Sequence, residues 1–98
     1  MTYGLKDKDI VAIKNVFAGF KQVEHAIIYG SRAKGNYKPA SDIDITLKGK
    51  NLNSTILNKI ALQLDDLLLP YTFDLSIFHQ IENPDLLAQI ERIGKVFY

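Results

Sequence analysis

Between positions 29 and 46 the chain reads Tyr29-Gly30-Ser31-Arg32-Ala33-Lys34-Gly35-Asn36-Tyr37-Lys38-Pro39-Ala40-Ser41-Asp42-Ile43-Asp44-Ile45-Thr46. A Gly-Ser turn is joined to an Asp-x-Asp strand by a ten-residue spacer. On a strand, Asp42 and Asp44 project from the same face, with Cα atoms about 6.8 Å apart. Two anions held that close repel, and Ile43, Ile45 and Leu47 offer nothing to offset them. A divalent cation would, and carboxylate-only ligation suits Mg²⁺ or Mn²⁺ better than zinc. Asp74 lies on a later strand among apolar neighbours. If that strand lies beside the first carboxylates, Asp74 completes a three-carboxylate cluster.

The Gly30-Ser31 turn suits phosphate. Glycine lets backbone approach a phosphate closely, and the amides opening a helical turn point outward as donors. The Ser31 hydroxyl adds a donor, and Arg32 and Lys34 are expected to meet phosphate oxygens from the same turn, Arg32 with its planar fork. A phosphate cradle facing a carboxylate site that holds two metal ions predicts in-line displacement at phosphorus with pyrophosphate leaving. Each piece alone has a plainer reading. A lone Asp-x-Asp is usually the solvated face of a half-buried strand. A lone Gly-Ser is usually a turn, and a mid-strand Asp is usually a surface residue. The weight rests on their occurring together at this spacing in a short chain.

The elements that must position these residues follow from periodicity. Ile10, Ile13, Phe17 and Phe20 predict a helix over residues 6–18, with Asp7 and Asp9 at its positive end and Gly19 as its stop. Residues 25–29 read as a strand buried on both faces. Residues 31–34 form a helical turn ended by Gly35, and 36–40, with Pro39, a loop. Residues 41–47 are a second strand. Asn53 caps a helix over 54–68, striped by Leu57, Ile60, Ala61, Leu64 and Leu68 and widened by Leu62, Leu67 and Leu69. So broad an apolar surface either sits between layers or faces a partner. Pro70 stops that helix, and residues 71–78 alternate as a third strand. Asn83-Pro84-Asp85 opens a last helix carrying Leu86, Leu87, Ile90 and Ile93 and ended by Gly94. Residues 95–98 are a short strand or a docking tail. The expected class is α/β (α+β), in the order αββαβα plus that short strand, with helices covering at least one face of a mixed sheet. Strands one and two should be antiparallel; two and three should be parallel through a right-handed crossover.

Length and composition bound the possibilities. The 98 residues fit one domain over 1–98, which buries roughly 65% of its unfolded surface. The balance of 12 Lys and Arg against 11 Asp and Glu leaves no basic excess to coat an extended nucleic acid. With no cysteine, disulfides and thiolate metal sites are excluded. No apolar run suggests a signal peptide or a membrane span, so a cytoplasmic protein is expected. His25 and His79 read as packing or surface residues, Tyr29 as core, Tyr37 as loop surface, and Lys48 and Lys50 as a solvated turn.

Gly30-Ser31-Arg32-Ala33-Lys34-Gly35 with Ser41-Asp42-Ile43-Asp44-Ile45 resembles the signature of the DNA polymerase β-type nucleotidyltransferase superfamily, in the form of its minimal (MNT, antitoxin-type) members. The resemblance covers nearly the whole chain. It implies the nucleotidyltransferase fold, with Asp42, Asp44 and Asp74 as metal ligands and catalytic acids and Gly30 and Ser31 holding nucleotide phosphates. It further implies Mg²⁺, a nucleoside triphosphate such as ATP, and a small helical HEPN-type or substrate-binding partner whose tyrosine takes the NMP. A hetero-oligomer or dimer is expected. Two other readings stand beside it: a non-catalytic partner-binding antitoxin or scaffold, and a transferase for a small molecule such as an antibiotic, with a partner-supplied pocket.

Overall fold

The computed structural model describes residues 1–98. Helix α1 spans Asp7–Ala18 and strand β1 His25–Tyr29. A one-turn helix, α2, takes Gly30–Lys34 and leads through a loop to β2, Ile43–Lys48. Helix α3 covers Ser54–Asp66 and β3 Phe73–Ile77. A 3₁₀ turn at Phe78–Gln80, absent from the sequence expectation, precedes α4, Pro84–Ile93, and β4, Lys95–Val96.

Local chemistry explains the boundaries. The Asn53 side chain accepts from the Ile56 amide at 2.9 Å, and Asn83 accepts from the Asp85 and Leu86 amides. Both occupy helical donors that lack an intrahelical partner. Helix α3 ends at Asp66 rather than at Leu68. Leu68 turns left-handed, with φ 56°, the role glycine usually takes past a helix end. Strand β2 begins at Ile43, so Asp42 lies just ahead of it.

The sheet runs β3-β2-β1-β4. Strands β1 and β2 are antiparallel, with Tyr29 level with Asp44. Strands β2 and β3 are parallel, with Asp44 level with Asp74 and Thr46 level with Ser76. The C-terminal segment is a strand, antiparallel to β1.

Alternation splits the sheet into two faces. Ala26, Ile28, Ile43, Ile45, Leu47 and Ile77 join Ile13, Phe17, Ile60 and Leu64 in the main core beneath α1 and α3. The other face carries Ile27 and Tyr29, which pack with Ile90 of α4, and then Asp44, Thr46, Asp74 and Ser76. The apolar residues on and just past α3 divide between core and solvent. Ile60 and Leu64 are buried, while Leu62 and Leu68 remain 64% and 88% exposed. No helix is long and apolar enough to cross a membrane.

Candidate active site

The carboxylates gather because of strand register. On the α4 face, Tyr29, Asp44 and Asp74 form one row across β1, β2 and β3. Asp74 therefore neighbours Asp44, because β3 pairs with β2, the condition on which that expectation depended. Asp42 stands two residues before Asp44, exposed to solvent.

Gly30 closes the row from the β1 side. Its φ is 72°, a conformation that favours glycine. A Cβ there would drive into the Asp44 carboxylate. The Gly-Ser turn and the Asp-x-Asp strand, distant in sequence, are thus in van der Waals contact. Ser31 is half-buried in α2 and Lys34 exposed. The opening amides of α2 have no preceding helical turn to bond to. Gly35 ends the turn left-handed, its amide bonded to Ser31 O at 2.9 Å.

The electrostatics are those of an uncompensated acidic site. Burial first, then the charges of Asp74 and Asp42, push the Asp44 carboxyl up from 3.8 to about 6. Burial likewise raises the Tyr29 phenol, with Asp74 and Asp44 adding to it. The Ser76 hydroxyl acts on Tyr29 in the opposite sense, yet the Ser76 and Thr46 hydroxyls are buried without a well-formed hydrogen bond. No three acidic or imidazole side chains converge as they stand into a metal-binding group. The expected three-carboxylate cluster is therefore incomplete: Asp74 is level with Asp44, while Asp42 stands exposed ahead of the strand. The donor set fits a hard divalent cation: oxygen ligands only, with a central carboxylate whose charge its neighbours disfavour.

Arg32 requires a correction. Expected to grip phosphate, it is only 2% exposed and points away from that task. Its Nε and Nη2 donate to Ser41 O at 3.0 and 2.8 Å, Nη1 to Tyr3 O at 2.9 Å and Nη2 to Pro39 O at 3.1 Å. Tyr37 and Tyr71 flank the guanidinium at 5.4 and 5.1 Å from their ring centroids. A planar fork of donors suits three convergent carbonyls as well as it suits phosphate. Arg32 therefore clamps the loop that delivers Asp42.

Tyr29 is buried as expected and also stands level with Asp44, beside the acids. Its position immediately before Gly30 was the available signal for that placement. Lys48, Lys50 and His79 are exposed, as expected of a solvated turn and a surface histidine. With Glu24, Gly49 and Phe78 they line a cavity of about 510 Å³ at the far end of the strands from the acids.

The profile of the family described as "Polymerase beta, Nucleotidyltransferase" matches residues 12–98. No curated protein matches the chain in sequence. Among solved structures, the fold is similar to a toxin–antitoxin with AMP-PNP, at TM-score 0.71 and 21% identity, over 96% of this chain and 73% of that one. It is also similar to a tri-AMPylated Shewanella oneidensis HEPN toxin in complex with MNT antitoxin, at TM-score 0.69 and 18% identity, over 96% and 72%. A third is the toxin–antitoxin MntA–HepT, at 0.68 and 18%, over 95% and 72%.

Proposed function

The chain belongs to the polymerase β nucleotidyltransferase family, and from that premise we propose that it transfers NMP, from ATP, to a hydroxyl of a helical HEPN-type partner. One observation carries the reading: Asp44 sits with the Gly30 turn against it on one side and Asp74 level with it on the other. Phosphate cradle and carboxylates need that proximity. The structural neighbours described as an AMP-PNP complex and as an AMPylated toxin support the choice of nucleotide and acceptor class.

In this reading Gly30, Ser31 and Lys34 hold the triphosphate, and Asp42, Asp44 and Asp74 hold Mg²⁺. When bound, the metal would neutralise charge on the transferring phosphoryl group and its leaving pyrophosphate. Asp74, the outermost acid of the row, receives the proton of the incoming hydroxyl. Arg32 keeps Asp42 in place through the loop. The exposed leucines on and just past α3, Leu62 and Leu68, offer apolar area to a partner.

The test mixes the protein, Mg²⁺ and α-labelled ATP with candidate helical HEPN-type partners, and locates the AMP by mass spectrometry. Asp44→Asn should lower transfer by roughly 10³-fold or more, since a metal ligand supplies several kcal/mol to the transition state. Transfer by Asp44→Asn at the parent rate would overturn the reading. Neutralisation of the partner by that variant, with no label on any chain in either protein, would favour the contact-only antitoxin.

A further inference from the structure

The outer edge of β3 carries backbone groups that nothing pairs. Strand β3 has β2 on one side and no strand on the other. The Ile43 amide donates to Thr72 O at 2.8 Å. Backbone groups of successive strand residues turn to alternate edges, so Thr72, Asp74 and Ser76 serve β2. Phe73 and Leu75 aim their N–H and C=O groups outward, and no turn or loop backbone bond takes them up. Proteins commonly blunt such an edge with charge, proline or a covering segment. The one charge on β3 is Asp74, which the site employs. Along this edge, between β3 and α3, runs a groove of about 380 Å³ whose lining includes Leu57, Ala61, Asp65, Phe73, Leu75 and Asp74.

The groove lies where a nucleophile must arrive. Across the sheet the order is Gly30 turn, Asp44, Asp74, groove. In-line transfer places the incoming oxygen opposite the leaving group. With the phosphates on the Gly30-Ser31 side, the acceptor comes from the β3 side. We propose that the acceptor is an extended polypeptide segment that adds to the free edge of β3 as a fifth strand, its hydroxyl-bearing residue level with Asp74. This deepens the function proposed above and rests on it. Alternation then points the acceptor side chain toward the carboxylate face and its two neighbours toward the groove. Phe73, Leu75, Leu57 and Ala61 select apolar residues at those two positions, and Asp65 disfavours acidic ones. In the step itself the hydroxyl oxygen bonds to the α-phosphorus, the bond to the pyrophosphate oxygen breaks, and the proton passes to Asp74.

The test uses an array of immobilised nonapeptides with a central tyrosine and randomised flanks, incubated with the protein, Mg²⁺ and α-labelled ATP. Labelled peptides should carry apolar residues immediately before and after the tyrosine and no proline beside it. N-methylation of one alternating set of backbone amides should cut labelling at least about tenfold, while methylation of the other set is tolerated, because only one set faces β3. Ala61→Arg, a good helix former at a half-exposed position, should also cut labelling about tenfold with ATP affinity unchanged. Labelling indifferent to both changes, or no peptide labelled by a protein that binds ATP, overturns the strand-addition proposal and leaves the transferase reading standing. Absence of ATP binding by the parent protein overturns the transferase reading itself.

Discussion

The two faces of β2 make opposite demands on one strand. Ile43, Ile45 and Leu47 point toward α1 and α3 and are fully buried. Asp44 and Thr46 point the other way, one with its carboxyl pushed up to about 6, the other with a buried hydroxyl lacking a partner. A slip of one residue would exchange these sets and destroy both. The apolar face therefore sets the register that aligns Gly30, Asp44 and Asp74. The polar face carries unfavourable groups that the apolar face must outweigh. Stability and chemistry are separated by a single residue of alternation.

Breaking the apolar side should have the largest effect. Ile45→Ala is expected to cost about 2–5 kcal/mol by loss of burial plus a cavity. That is a large share of the ~5–15 kcal/mol typical of a domain. Chemical denaturation should show the loss, and transfer should vanish with the fold. If Ile45→Ala leaves the denaturation midpoint in place, the division of labour between the faces is wrong.

Arg32 sharpens the contrast from the loop. Arg32→Lys cannot reproduce four hydrogen bonds to three carbonyls. Stranding those part-buried acceptors should cost about 1–2 kcal/mol. Amide exchange should accelerate over residues 36–42, while ATP affinity measured with folded protein falls less than tenfold. A residue that gripped phosphate directly would show the reverse order, with affinity lost and the loop unchanged.

On the polar side, removing the acid should help folding. The folded Asp44 carboxyl binds its proton more tightly than its ordinary 3.8, at about 6. Its contribution to stability therefore falls as pH rises from about 4 to about 6 and stays unfavourable above that. Asp44→Asn should raise stability at neutral pH without metal by about 1 kcal/mol after discounting for solvent, or 4–8 °C in Tm. It should also flatten the dependence of Tm on pH between 4 and 6. The same proton competes with cations, so Mg²⁺ affinity should weaken below pH 6. Thermal melts at several pH values and a Mg²⁺ titration check both.

The smallest effect belongs to Thr46→Val. Replacing a buried, unbonded hydroxyl by a methyl of similar shape should be neutral or stabilising by up to about 1 kcal/mol. A loss of stability there would show that the hydroxyl has a partner after all.

The sequence by itself determined the main helices and strands and the acidic and Gly-Ser parts of the site. Periods of two and of three to four place β1–β3, α1, α3 and α4, because side-chain direction is dictated by the repeat. Asn53 and Asn83 mark helix starts because their side chains replace missing backbone partners. Gly30 with Ser31, and Asp42 with Asp44, stand out through residue type and spacing alone. What the tertiary structure decided is everything that depends on residues far apart in sequence. Arg32 turned inward because the loop after it folds the Pro39 and Ser41 carbonyls back onto it and the distant Tyr3 adds a third. Tyr29 came level with Asp44, and Asp74 with it, only through pairing. The exposure of Leu62 and Leu68 and the open edge of β3 emerged only from the packing and the sheet order. A single chain states which groups are present; which of them meet is fixed by packing, because distance in space is set by the whole core at once.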